Sequence, residues 1–221
     1  MTETGRRPYD ATKRRERAEE ERRATRRRVI AASQRLFVAK GYADTTMGDI
    51  ARTAGVALQS VYNAGSSKAE LLQQVVDAVV AGDDEDVMMS DRPSFAAIAE
   101  DADPEGQVRR MAALIACIQE RSAPVQAVFR QAAAVDDRIA ASLDRELRRR
   151  HETFAVVVGM IPEDRLRHSR EESTDTAWAI GSSELYQLLR IRRGWDADHY
   201  REWLSRTLVE QLLSPSPDAP G

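Results

Sequence analysis

The chain has 221 residues, with 33 Lys+Arg against 36 Asp+Glu, 42% hydrophobic and 5% aromatic residues, one cysteine and three histidines. That length can bury a core without metal or disulfide staples, and the lone Cys117 excludes an intramolecular disulfide, so a reducing cytoplasmic compartment is expected. No apolar run approaches the ~20 residues of a bilayer span, and no apolar segment follows the charged N-terminus as in a secretory signal, so no membrane partner is expected.

The formal net charge of −3 conceals an asymmetry: residues 1–68 hold 15 basic and 8 acidic side chains, the remainder 18 and 28. A basic end joined to an acidic body is the usual footprint of a polyanion-binding module on a larger domain. Residues 1–18 read as a disordered Arg/Glu-rich arm, either solvated or touching DNA. Glu16, Glu19, Glu20 and Glu21 dilute its positive charge and argue against a membrane surface.

From Val29 to Lys40 the apolar positions follow helical spacing, and Gly41 stops that helix as a left-handed residue would. Thr46-Met47-Gly48-Asp49 opens a second helix with a capping box in which Asp replaces the usual Glu. Ala54-Gly55-Val56 makes a tight turn, and a short helix from about Ala57 to Ala64 follows. Ser67-Lys68-Ala69-Glu70 starts a longer helix with the stripe Leu71, Leu72, Val75, Val76 and Val79, which ends near Gly82. The acidic stretch Gly82–Asp86 and the region around Pro93 make the best linker.

Beyond Pro104 the pattern is helical again. Val108, Met111, Ile115 and Ile118 form one stripe, broken before Pro124, and Val125, Val128 and Phe129 form a short helix. Ile139, Leu143, Leu147, His151, Phe154 and Val158 form a long stripe that ends at Gly159 and Pro162. Trp178, Leu185, Leu188 and Leu189 define the next helix, closed by Gly194. Tyr200, Trp203, Leu204, Leu208 and Leu212 define the last, before a disordered tail over 214–221. The predicted fold is all-α with about nine helices: a three-helix helix-turn-helix domain over 19–82 and a larger helical domain over 83–213.

Three short helices with a Gly-containing turn between the second and third suit a reading helix narrow enough for the ~12 Å major groove. Ile50, Ala51, Ala54, Val56 and Val61 supply the small contacts that fix its angle. The run RVIAASQRLFVAKGYADTTMGDIARTAGVALQSVYNAGSSKAELL, from Arg28 to Leu72, resembles the DNA-binding domain of the TetR family of transcriptional regulators. The matching pieces are Leu36-Phe37 with Gly41-Tyr42, Thr45-Thr46, Ile50-Ala51 with Ala54-Gly55-Val56, Val61-Tyr62, and Ser67-Lys68 with Leu71-Leu72. The run ELYQLLRIRRGWDADHYREWLSRTLVEQLL is similar to the last two helices of one group in that family.

The resemblance implies a homodimeric, ligand-responsive repressor that binds a near-palindromic double-stranded DNA operator and a small-molecule effector. It places Ala57, Leu58, Gln59 and Ser60 at base edges, Tyr62 and Asn63 at phosphates and sometimes bases, Thr46 at a phosphate, and Lys68 at a phosphate anchor. The family's usual aromatic is replaced by Gly65, which implies either a looser reading helix or a neighbouring side chain in the gap. Leu58 is unusual for base reading and could meet a thymine methyl. A cation at Lys68 opposes the helix dipole, so something must compensate it.

Met88, Met89, Met111, Phe129, His151, Phe154 and Trp178 are candidates to line an effector pocket, although His151 also reads as a satisfied core histidine and most of the others as plain core. Arg148-Arg149-Arg150 reads as a solvated face. Leu185, Leu188, Leu189, Trp203, Leu204 and Leu208 are candidates for a four-helix dimer interface, shared with the subunit's own core. His151-Glu152 begins like a zinc-protease motif, but Ala155 stands where the second histidine belongs. No metal site, cofactor or catalytic constellation is expected, so the chain does not read as an enzyme. The alternative is a helical ligand-binding or scaffolding dimer whose DNA-reading helix has decayed, an idea motivated by Gly65 and Leu58.

Overall fold

A computed structural model describes residues 11–82 and 93–215. Among these residues the chain is all-helical apart from turns and one isolated antiparallel bridge between Leu166 and Leu213. Two compact units meet between Leu72 and Gln73.

The first unit contains α1 (Ala11–Lys40), α2 (Met47–Ala54), α3 (Leu58–Ala64) and the first turn of α4 (Lys68–Ala81). Gly41, at φ 84°, ends α1 with its N–H on the Phe37 carbonyl at 2.9 Å. Helices of eight and seven residues, as α2 and α3 are, fall below the ~12–15 residues at which an isolated helix becomes even marginally stable. Their order comes from packing: Val29, Phe37, Ile50, Val61, Leu71 and Leu72 are fully buried in this unit. Each such side chain contributes roughly 1.5–3 kcal/mol.

Helix α1 reaches back to Ala11, so residues 11–18 are helical and not part of an unstructured arm; residues 1–10 lie outside the described chain. Between Ala11 and Arg28 there is no Gly or Pro, and Ala, Arg, Lys and Glu predominate, all strong helix formers.

The second unit continues along α4 and adds α5 (Pro93–Ala99), α6 (Pro104–Ala133), α7 (Asp137–Gly159) and a 3-10 turn at Glu163–Arg165. It then adds α8 (Arg170–Ile180), α9 (Ser183–Tyr186) running on as a π-helical stretch Gln187–Arg192, and α10 (Ala197–Leu212). Asp103, Asp136, Ser169, Ser182 and Asp196 each cap a helix by accepting a backbone N–H, so the sequence punctuates its own helices. Val108, Met111, Ile115, Phe154, Val158, Leu204, Leu208 and Leu212 belong to one continuous core.

Three expectations need correction here. Pro124 does not break the chain into two helices: α6 runs through it for 30 residues. The Pro124 ring is exposed while Ala123 and Val125 are buried, so packing on one face carries the helix past a missing N–H on the other. The unit boundary lies inside α4 and not at Gly82, because the end of α4 is held by its own unit: Arg121 donates to the carbonyls of Val79 at 2.8 Å and Val80 at 2.6 Å. The expected tail begins too early, since Ser214 donates its N–H to the Arg165 carbonyl at 2.9 Å and its hydroxyl to that of Leu166 at 3.0 Å. The linker residues 83–92 and the tail residues 216–221 lie outside the described chain.

Candidate nucleic-acid interface

Thr46 caps α2 through a complete capping box. Its hydroxyl accepts the Asp49 N–H at 3.0 Å, and the Asp49 carboxylate accepts the Thr46 N–H at 3.3 Å and hydroxyl proton at 2.8 Å. Those hydrogen bonds from Thr46 hold the Asp49 carboxyl below its ordinary range. Gly55 then turns the chain left-handed at φ 64°, a conformation that strains any side-chain-bearing residue, and α3 follows after two residues.

On α3, Val61 is buried while Leu58, Gln59, Tyr62 and Asn63 are exposed, as is Ala57 at its N-cap; Ser60 is half-buried. Leu58 and Tyr62 are 47% and 45% exposed, one turn apart on the same helix. Gln59 donates to the Asn63 side-chain oxygen at 3.1 Å, joining two amides one turn apart. The helix thus presents a mixed polar and apolar strip of four adjacent residues, held from behind by Ile50, Ala51, Ala54 and Val61.

Gly65 packs directly against Leu71. Its backbone is extended at φ −157°, which any residue adopts, yet a Cβ there would stand 2.6 Å from Leu71 Cδ2 and 2.8 Å from Leu71 Cγ. Leu71, itself fully buried, lies where the first side-chain carbon of any larger residue at 65 would have to go. Sequence spacing gives no signal for this exchange, because the two positions lie six apart across a helix boundary.

Lys68 is compensated within its own unit. Its ammonium donates to the Tyr42 carbonyl at 2.7 Å and the Ala43 carbonyl at 3.2 Å, and lies 4.4 Å from the Tyr42 ring centre. A cation in the first turn of α4 therefore answers the carbonyls of the turn after α1. The second capping box is displaced by one residue: Ser67 accepts the Glu70 N–H at 3.2 Å, but the Glu70 carboxylate returns to Ser66 at 2.9 Å.

In the second unit, Met111 and Phe154 lie in one buried cluster with Trp178 packed against it, whereas Phe129 is buried outside that cluster and Met88 and Met89 lie outside the described residues. His151 is not a core histidine. Its side chain is 42% exposed, its Nε2 bonds the Asp175 carboxylate at 2.8 Å, and its ring meets Trp178 edge-on at 5.8 Å.

Arg150 departs from the expected solvated arginine run. It donates to the carbonyls of Trp178 at 3.2 Å and Gly181 at 3.4 Å, with its guanidinium 5.0 Å from the Trp178 ring centre, and burial pulls its pKa down. Gln119 donates to the same Gly181 carbonyl at 2.7 Å, while Arg150 Nε, Trp178 Nε1 and Gln119 Oε1 are buried without a hydrogen-bond partner. Arg149, in contrast, joins Asp77 at 2.7 Å and also pairs with Glu146.

The six interface candidates split. Leu204 and Leu208 are fully buried in their own unit and cannot line a partner surface; their positions on α10 turn them into the core with Tyr200 and Leu212. Leu188 is exposed and Leu185, Leu189 and Trp203 are half-buried, with Ile191 a further exposed residue of the π-helical stretch. Among the described residues no group of three or more His, Cys, Asp or Glu side chains is placed to hold a metal ion. No described helix is long and apolar enough to cross a membrane.

Known proteins share both the first unit's sequence and the whole fold. Residues 29–75 match the family described as bacterial regulatory proteins, tetR family. Residues of this chain are 38% identical over 63 positions to the HTH-type transcriptional regulator TtgR of Pseudomonas putida, a match that spans 28% of this chain and 30% of that relative's length. The fold matches the crystal structure of NalD, the secondary repressor of the MexAB-OprM multidrug efflux pump in Pseudomonas aeruginosa, with a TM-score of 0.67 at 20% identity over 90% of this chain and 100% of that one. It also matches SmeT in complex with triclosan, with a TM-score of 0.67 at 16% identity over 90% of this chain and 96% of that one.

Proposed function

We propose, from the match of residues 29–75 to the bacterial tetR family and the likeness of the fold to NalD, that this protein is a ligand-responsive, DNA-binding transcriptional repressor that acts in the cytoplasm as a homodimer. The observation that carries the reading is the α3 strip. Leu58, Gln59, Tyr62 and Asn63 are exposed together on a helix that cannot stand alone and is fixed by a buried core. In this assignment Ala57, Leu58, Gln59 and Ser60 meet base edges in the major groove, and Tyr62, Asn63 and the N-terminus of α2 at Thr46 meet phosphates. Leu71 in the Gly65 gap favours an intact reader over a decayed one, because the helix keeps its packing support.

Two copies would set their reading helices about 34–36 Å apart on a near-palindromic operator. Leu188 and Ile191, with the half-buried Leu185, Leu189 and Trp203, supply the apolar face for pairing. The effector would enter the second unit beside Met111, Phe154 and Trp178, where Arg150 and Gln119 add polar groups. Since α4 belongs to both units, a ligand that moves its second half alters the first, a coupling of about 1–3 kcal/mol between the sites. Catalysis plays no part in this reading.

The test is a titration of the purified protein against duplexes selected from a random pool, with a scrambled duplex as control. Retained preference for the selected sequence at raised salt is expected. Equal, salt-sensitive binding to both duplexes would refute sequence reading, since a basic surface alone produces that result.

A further inference from the structure

The side of α1 that packs into the first unit is followed, toward the N-terminus, by a row of arginines. Val29, Ala32, Ser33 and Phe37 are buried and Leu36 half-buried, which defines the inward face by three- and four-residue steps. Continuing those steps backward from Val29 gives Arg26, Thr25, Arg22, Ala18, Arg15 and Arg14. Thr25 and Ala18 are the half-buried residues between 13 and 28, as their place on this face requires, and the four arginines are exposed. Glu19 stands at the edge of the face, while Glu16, Glu20 and Glu21 fall on the other sides of the helix. There Glu20 pairs with Arg27 at 3.1 Å.

The apolar core of the unit begins at Val29, so the 18 residues from Ala11 to Arg28 form about 27 Å of helix whose inward face carries charge where α1 elsewhere carries core. Helices α2 and α3 pack against α1 within this unit. An arginine row that continues the inward face belongs to the side of α1 where the reading helix is held.

We infer that this row is a second DNA contact, resting on the function proposed above: Arg14, Arg15, Arg22 and Arg26 grip the phosphate backbone of the duplex beyond the segment read by α3. An elongated polyanion with one charge per ~1.7 Å of axis is the occupant complementary to a helix with four guanidinium groups along one face. The grip carries no sequence information; it lengthens the footprint and raises affinity for any duplex that reaches past the half-site.

The experiment compares the full-length protein with R14Q/R15Q/R22Q/R26Q, with R14K/R15K/R22K/R26K, and with R17Q/R23Q/R27Q/R28Q on the remaining faces. Affinity is measured against salt for a selected duplex that extends a helical turn beyond the site on each side, and for its scrambled counterpart. Glutamine and lysine keep helix propensity, and circular dichroism checks that the helix persists. Expected is a drop in the log–log salt slope of about 0.9 for each phosphate that is no longer neutralised, or roughly three to four per subunit for the inward glutamine set. The lysine set should keep the wild-type slope, the other-face set should lose less than about one, and only the inward glutamine set should shorten the nuclease footprint at its outer flanks. An inward glutamine set with the wild-type slope, or an other-face set that loses as much, overturns the inference while preference for the selected duplex persists. Failure of the wild-type protein to prefer the selected duplex overturns the regulator reading itself.

Discussion

Gly65 offers the sharpest test of how the reading helix is held. Because its φ of −157° suits any residue, replacing it brings no backbone strain, and the whole penalty comes from Leu71, 2.6 and 2.8 Å from the new Cβ. Overpacking of a filled core costs about 1–3 kcal/mol, while loss of glycine's freedom in the unfolded chain returns about 0.4–1 kcal/mol. Gly65→Ala should therefore destabilise by up to roughly 2.6 kcal/mol, and Gly65→Phe by more. Leu71→Ala alone opens a cavity and should cost roughly 2–5 kcal/mol.

The double variant Gly65→Phe/Leu71→Ala exchanges one filling group for another. It should be more stable than the sum of the single changes, with a coupling of about 1–3 kcal/mol. Urea denaturation of the four proteins measures the cycle, and DNA titration of each reports whether α3 stays in place. Additive single changes, or a Gly65→Ala protein at least as stable as wild type, would show that Leu71 does not fill the gap. Tighter DNA binding by Gly65→Phe would show that the helix had been loose.

Other consequences follow from the same structure. Leu204→Ala should lose about 2–5 kcal/mol in denaturation, because Leu204 is fully buried in its own subunit. Leu188→Ala should change that stability by less than about 0.5 kcal/mol and instead weaken the proposed dimer in sedimentation; a stable Leu204→Ala protein would contradict the assigned core. Glu146 is held above the ordinary carboxylate range by burial, with Arg149 opposing. An acid raised on folding contributes stability below its unfolded pKa that is lost as pH rises through its folded value. Glu146→Gln should therefore gain on wild type from mildly acidic to neutral pH and match it in acid; denaturation across that range with the opposite trend would refute the burial argument. Lys68→Met should destabilise the protein by about 1–2 kcal/mol in denaturation, since the Tyr42 and Ala43 carbonyls lose a charged donor; unchanged stability would leave Lys68 to DNA alone.

What the sequence displayed was periodicity and punctuation. The glycine stops at Gly41, Gly55 and Gly194, the Thr46 box and the stripe of α4 follow from local rules, and the structure has all of them. Three features were illegible for stated reasons. Pro124 reads as a breaker because propensity cannot know that its ring faces solvent while its neighbours are buried. Leu204 and Leu188 look alike in a stripe, and only the neighbouring helices decide which is core. Arg150 looks like part of a solvated run, since its partners are backbone carbonyls at Trp178 and Gly181, which carry no sequence signature.

The same blindness to carbonyl partners hides how α4 is held. At its start, Lys68 binds the carbonyls of Tyr42 and Ala43 in the first unit; at its end, Arg121 binds those of Val79 and Val80, and Arg149 binds Asp77, in the second. Each unit thus grips its own end of one uninterrupted 14-residue helix through cations. No Gly or Pro lies between Lys68 and Ala81 to kink the helix. The ligand control proposed above would run along this helix, and substitutions at Lys68, Arg121 and Arg149 are its first tests.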